Sequence, residues 1–122
     1  MKNLVAFFEI PATDFGRAIQ FYETILGLKL SPMECETEKM AFFPEESGQY
    51  PGAISSASGF NPSKDGVLVS LSVNNMEQTL LAIEQNAGKI VIPKTKIEAT
   101  CRGYFAVFID SEGNKVGLYS DK

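Results

Sequence analysis

The apolar and polar positions of this chain spell one pattern twice, with 61 residues between corresponding positions. In the first copy an apolar, aromatic run from Leu4 to Ile10 passes through Pro11, Ala12 and Thr13 to Asp14. It continues as Phe15, Ile19, Tyr22 and Leu26 and stops at Gly27. In the second copy Val67 to Val73 leads to Asn75, and Met76, Leu80, Ile83 and Ala87 repeat the i, i+4, i+7, i+11 spacing before Gly88. That spacing gathers the side chains on one stripe of a helix, and the apolar runs before it have the composition of strands. Asp14 and Asn75 are N-cap residue types, and Gln78, three after Asn75, completes a capping box. Gly27 and Gly88 are expected to end the two helices in the left-handed conformation. Each helix then spans about three to four turns.

Strand chemistry follows each helix. The first half predicts strands at Leu28 to Pro32, Lys39 to Pro44 and Gly52 to Ser56, with a polar loop from Glu45 to Pro51. The second predicts Lys89 to Ile92, Gly103 to Ile109 and Lys115 to Ser120, with Ser111, Glu112, Gly113 and Asn114 as the turn between the last two. Each half therefore reads β-α-β-β-β. A module of about 60 residues buries too little surface to be stable alone, so two are expected to pair into one curved sheet. The predicted organisation is a single α+β domain over residues 1–122, with one module over about 1–60, the other over about 66–122, and a Ser, Gly, Asn and Pro-rich joint at 57–66.

Composition narrows the function classes. A hydrophobic content of 44% suits a real core. The N-terminal apolar run is too short for a membrane span and has no small-residue cleavage site, so a cytoplasmic location without membrane partners is the expectation. Acidic residues outnumber basic ones by 15 to 11, and Lys94 with Lys96 is too thin a cluster to track a phosphate backbone, so nucleic acid is not expected as a partner. Cys35 and Cys101 have no Cys or His at ligand spacing and read as ordinary reduced thiols.

Several of these residues together resemble a known family. Asp14, Arg17-Ala18, Phe21-Tyr22 and Gly27, with Asp110-Ser111-Glu112-Gly113-Asn114 before the last strand, resemble the vicinal oxygen chelate superfamily. That superfamily includes glyoxalase I, extradiol dioxygenases, fosfomycin-resistance enzymes and bleomycin-binding proteins, and the resemblance covers essentially the whole chain. It implies two tandem βαβββ modules forming a cup-shaped mixed sheet with helices on the outer face, often completed as a homodimer. In the superfamily's enzymes a divalent metal sits in the cup on His, Glu or Gln from both modules. The corresponding positions here are Phe7, Leu68, Gly117 and the strand from Gly52 to Ser58, none of which offers a strong ligand.

A divalent ion needs three or more oxygen, nitrogen or thiolate donors converging on it, and phenyl, isobutyl and hydrogen side chains supply none. The chain also has no histidine, the commonest metal ligand and the general base best suited to neutral pH. No cofactor is therefore predicted.

Glu9 stands out because strand alternation puts it on the same face as Phe7, toward the implied cup, among apolar neighbours. There it is expected to be partly desolvated, and to serve as a proton acceptor or an anchor for a cationic or hydroxylated ligand. The structural alternative is a bond to backbone N–H groups or a pair with Arg17 or Arg102. Ser70, 61 residues on from Glu9, is expected to meet it near the pseudo-twofold axis in a Glu–Ser hydrogen bond. Lys115 and Tyr119 share parity with Gly117, Tyr119 offers a hydroxyl, and Met40 or Phe42 adds apolar wall. Each of these is equally readable as core or solvated rim, and Phe21-Tyr22 is read as packing alone. Cys101, Arg102 and Tyr104 cluster at a strand entry where Arg102 could receive an anion, while nothing there lowers the pKa of Cys101.

Three functions fit these residues. One is a metal-free module that binds a small molecule in an apolar cup with Glu9 as polar handle. Another is a lyase, isomerase or dioxygenase with an atypical carboxylate site, for which Glu9 would have to converge with Glu34, Glu36 or Glu98. The third is an interaction subunit whose cup is vestigial.

Overall fold

The computed structural model describes residues 4–98 and 103–122. Its elements run β1 (Phe8–Pro11), α1 (Phe15–Leu26), β2 (Ser31–Glu34), β3 (Glu38–Phe42) and β4 (Gly52–Ala57) in the first half. The second half runs β5 (Ser70–Ser72), α2 (Met76–Gln85), β6 (Lys89–Lys96), β7 (Tyr104–Ile109) and β8 (Lys115–Ser120). The helices start where their caps dictate: Asp14 accepts from the Arg17 N–H at 3.1 Å and Asn75 from the Gln78 N–H at 3.0 Å. Gly27 closes α1 at φ 64°.

The second helix ends differently from expectation. Ala87, counted in the helical ladder, lies beyond the helix and takes the left-handed conformation itself, at φ 72°. Gly88 answers to space instead. A Cβ there would sit 2.4 Å from Ile83 Cγ2 and 3.1 Å from the Phe21 ring, so glycine lets the chain turn back under α2 and against α1.

Strands pair as two four-stranded sheets rather than one, in the orders β1-β4-β3-β2 and β5-β8-β7-β6. In each sheet the first strand is parallel to the last of its module, Phe8 opposite Gly52 and Ser70 opposite Gly117. Expected strand at Leu4 to Phe7 and at Val67 to Val69 is absent, for the same reason in both halves. Beyond Gly52 the neighbouring chain leaves through Pro51 into the 44–51 loop, and the Phe8 N–H reaches Pro51 O at 3.2 Å as the last rung. Lys115, which would continue the ladder past Gly117, gives its N–H to Ser63 O instead, at 3.3 Å.

Alternation sorts each sheet into two faces. Phe8, Ile10, Ala41 and Ile54 of the first sheet, and Leu71, Phe108, Val116 and Leu118 of the second, join Ala18, Phe21, Tyr22, Ile25, Met76 and Ile83 of the helices in one core. Phe21 stands 6.2 Å from Phe108 and Tyr22 stands 6.1 Å from Phe43, so α1 packs on both halves at once. The other face of each sheet carries the candidate site. Among the described residues no helix is long and apolar enough to cross a membrane.

Candidate ligand-binding face

Register brings Glu9, Ala53, Ser55, Met40 and Phe42 onto the face that turns away from the helices. Ser55 is 1% exposed and donates its hydroxyl to Glu9 Oε1 at 2.8 Å. Glu9 thus lies on the expected face, but it is exposed rather than desolvated, and its serine partner is Ser55, not Ser70. The difference comes from sheet order. A parallel neighbour two rungs along stands beside Glu9 in the same sheet, whereas Ser70 belongs to the other sheet. The expected pair with Arg17 does not form either, because Arg17 is committed to Glu112. Met40 and Phe42 flank Ser55 and Ala53, and the Phe42 ring packs on Tyr50 at 4.9 Å.

On the second sheet the same face carries Ser70, Gly117, Tyr119, Phe105 and Val107. Gly117 is needed for close approach: a Cβ there would sit 2.4 Å from Ser70 Oγ. Any ligand-bearing side chain at that position would have to displace Ser70. The Tyr119 ring lies against Gly103, which at φ 80° has neither the conformation nor the room for a side chain, and the Tyr119 hydroxyl donates to Asp121 at 2.9 Å. Phe7 and Leu68 are 50% and 49% exposed. Arg102 and Cys101 lie outside the described residues, and Cys35 is an exposed free thiol.

The donor chemistry of this face does not fit a divalent ion. Phe7, Leu68 and Gly117 bring carbon or hydrogen, β4 brings only serine hydroxyls, and among the described residues no three His, Cys, Asp or Glu side chains gather. Of the acidic residues named for a carboxylate-only site, Glu34 faces Lys39 across its own hairpin at 3.7 Å. Lys94, half of the thin basic pair, is held by Glu77 at 2.8 Å and lies 4.5 Å over the Tyr104 ring. The same bond holds the Glu77 carboxyl below its ordinary range.

The most highly connected polar groups are ones the sequence marked only as a turn and as packing. Asp110, 3% exposed, accepts the N–H groups of Glu112, Gly113 and Asn114 on Oδ1 at 2.9, 3.0 and 2.9 Å. Its Oδ2 takes the Tyr22 hydroxyl at 2.6 Å and the Asn114 amide at 3.0 Å. Asn114 also donates to Pro11 O at 2.8 Å and accepts from Ser63 N at 3.1 Å, tying β1 and the joint between halves to the β7–β8 turn. Burial, then the charge of Asp110, pushes the Tyr22 hydroxyl well above the phenol range.

Glu112 extends this network to α1. Its side chain, 1% exposed, accepts from the N–H groups of Thr13 and Asp14 at 2.9 and 2.7 Å and from Arg17 Nε at 2.7 Å. A carboxylate there also meets the positive end of the helix. Burial alone would raise its pKa, but the bonds from Arg17, Asp14 and Ser111 outweigh that and hold it below the ordinary range. The bond to Glu112 in turn raises Arg17. A signal was available in the sequence: an acid in a tight turn and an unmatched arginine on the first turn of a helix.

Comparison with known proteins agrees with this architecture. Residues 4–118 match the family model described as Glyoxalase/Bleomycin resistance protein/Dioxygenase superfamily. A glyoxylase/bleomycin resistance protein/dioxygenase domain from Frankia superposes at TM-score 0.75 and 14% identity, covering 100% of both chains. A glyoxalase/bleomycin resistance protein from Albidiferax ferrireducens does so at 0.68 and 16%, over 98% of this chain and 100% of that one. A variant of glyoxalase I from Zea mays gives 0.69 and 20% over 94% of this chain, which spans only 45% of the maize enzyme. At these identities the likeness is one of fold. No curated protein matches the sequence.

Proposed function

Because the chain belongs to the Glyoxalase/Bleomycin resistance protein/Dioxygenase superfamily yet bears no strong donor where that fold's enzymes hold metal, we propose that it binds a small cationic molecule without a metal ion. The observation that carries this reading is Glu9. One of its oxygens is held by the buried Ser55 hydroxyl, the residue is exposed, and Ala53 beside it and Met40 and Phe42 one strand further on share its face. Ser55 fixes the carboxylate while the exposure of Glu9 keeps it reachable, and the half-buried Met40 and Phe42 supply surface against which a hydrocarbon body can dehydrate. Such a module sequesters or carries its guest.

Two measurements test this. The protein as isolated is expected to hold no stoichiometric divalent metal and to melt unchanged after chelation, so about one Zn, Mn, Ni or Fe per chain by elemental analysis would overturn it. A panel of cationic antibiotics and aromatic amines should raise the melting temperature, by preferential binding to the folded state, and Glu9→Gln should abolish that rise. An undiminished rise in the variant would remove Glu9 from the site.

We infer in addition that two copies associate. Leu4 and Val5 are 88% and 64% exposed and Val67 is 92% exposed. These apolar segments continue β1 and β5, the edge strands of the two sheets, and lie at related places in the two halves. A second copy turned about a twofold axis would offer each segment an apolar strand edge, covering surface that a monomer leaves in water. Sedimentation should give a dimer that Val67→Lys weakens, and a monomer at all concentrations would refute the association.

A further inference from the structure

We propose that the cavity where the two halves meet takes a zwitterionic molecule with an apolar body, its ammonium group held by Glu9 and its carboxylate by Lys115. This rests on the reading of Glu9 as a cation handle and adds the opposite pole. The cavity is about 360 Å³ and is bounded by β1, the joint between the halves and the start of β8. Phe60, Val67, Val69 and Val116 line it together with Glu9 and Lys115. That volume is within the range of small-molecule sites, and the lining is the usual one of apolar walls with few charged groups.

Both charges are available. Among the described residues neither Glu9 nor Lys115 enters an ion pair. Each is fixed at its root: Glu9 by the β1–β4 ladder and Ser55, and Lys115 by its N–H bond to Ser63 O and by Asn114 beside it, which the Asp110 network holds. They come from different halves and different sheets, so the packing of the halves sets the separation of their backbones, and the flexible Lys115 stem adjusts its ammonium to the guest. A larger cavity of about 700 Å³, between the end of α1 and β5, is lined by Glu45 and Glu46 but by no Lys or Arg and offers no second pole.

The test uses the full chain and three probes of one shape: L-phenylalanine carries both charges, phenethylamine only the cation and 3-phenylpropionate only the anion. Amide chemical-shift titrations should place all three at Glu9, Lys115 and Val116, with phenylalanine tighter than either partner on the order of fivefold, the worth of one partly exposed ion pair. Lys115→Met should erase the advantage over phenethylamine and leave phenethylamine binding within about twofold. Glu9→Gln should erase the advantage over 3-phenylpropionate. Equal affinity for phenylalanine and phenethylamine, with Lys115→Met silent, would overturn the zwitterion while leaving the cation reading intact. Saturable shifts from none of the three would overturn the cavity as a site, whereas metal at full occupancy would sink the metal-free reading on its own.

Discussion

Asp110 and Glu9 are carboxylates reached from the two ends of β1, and their surroundings are opposite. Asp110 is 3% exposed, and both of its oxygens are filled by turn N–H groups, Tyr22 and Asn114. Glu9 is exposed and accepts one bond, from Ser55, on a single oxygen. A buried carboxylate with every lone pair answered is a structural device, because removing it strands donors that have no water to turn to. An exposed carboxylate that accepts a single bond contributes little to folding and keeps its charge accessible. The difference separates what holds the halves together from what they offer.

Asp110→Ala should break the comparison at its stronger side. It removes the acceptor of the Glu112 and Asn114 N–H groups and of the buried Tyr22 hydroxyl, while Gly113 N–H keeps Asp110 O and the Asn114 amide keeps Pro11 O. At about 1–3 kcal/mol for each group that finds no substitute partner, the loss should exceed about 3 kcal/mol even after relaxation. Urea denaturation measures it, and a loss under about 1 kcal/mol would show that water fills the turn and that Asp110 is no keystone.

Glu112→Gln should have a middling effect with a distinctive pH dependence. The glutamine carbonyl can still accept from Thr13 and Asp14, so the folded state mainly loses the charge-assisted bond from Arg17, whose side chain is 54% exposed. Because the folded-state pKa of Glu112 lies below its ordinary value, the unfolded chain takes up the proton first as pH falls. The stabilisation is therefore present above about pH 4.3, the usual glutamate value, and is lost as pH drops through the lower folded pKa. Melting curves of wild type and variant should differ at pH 7 and converge toward pH 3. A gap that stays constant across that range would mean that the carboxylate charge is not what Arg17 stabilises.

How far these roles could be read from the sequence follows from how local they are. The Asp14 cap and the Gly27 stop involve neighbours within one helical turn, and both ends of α1 stand where the pattern put them. The apolar runs at Leu4 and Val67 have strand composition but lack strand neighbours, and a strand exists only where another chain segment lies alongside. Gly88 is a packing site rather than the conformational stop its type suggests: a Cβ there would meet Ile83 of α2 first and then Phe21 of the other helix, a neighbour that local pattern does not show. The Glu9–Ser70 pair followed from the repeat, which relates equivalent positions, whereas contact is decided by sheet order, and that put Ser55 beside Glu9. The positions that the family resemblance implies for a metal involve residue type alone: Phe7, Leu68 and Gly117 carry no donor side chain.

Glu9→Gln, read for stability alone, should give the smallest effect. The amide carbonyl can keep the bond from Ser55, the residue is exposed, and among the described residues no basic side chain loses a partner, so the change should stay within about 0.5 kcal/mol. Thermal and urea unfolding of the unliganded variant measure this directly. The small number matters because the same substitution is expected to abolish ligand-induced stabilisation: a group that costs nothing to remove in the empty protein but removes binding is held for the guest. A loss above about 1 kcal/mol without ligand would instead class Glu9 with Asp110, as part of the frame.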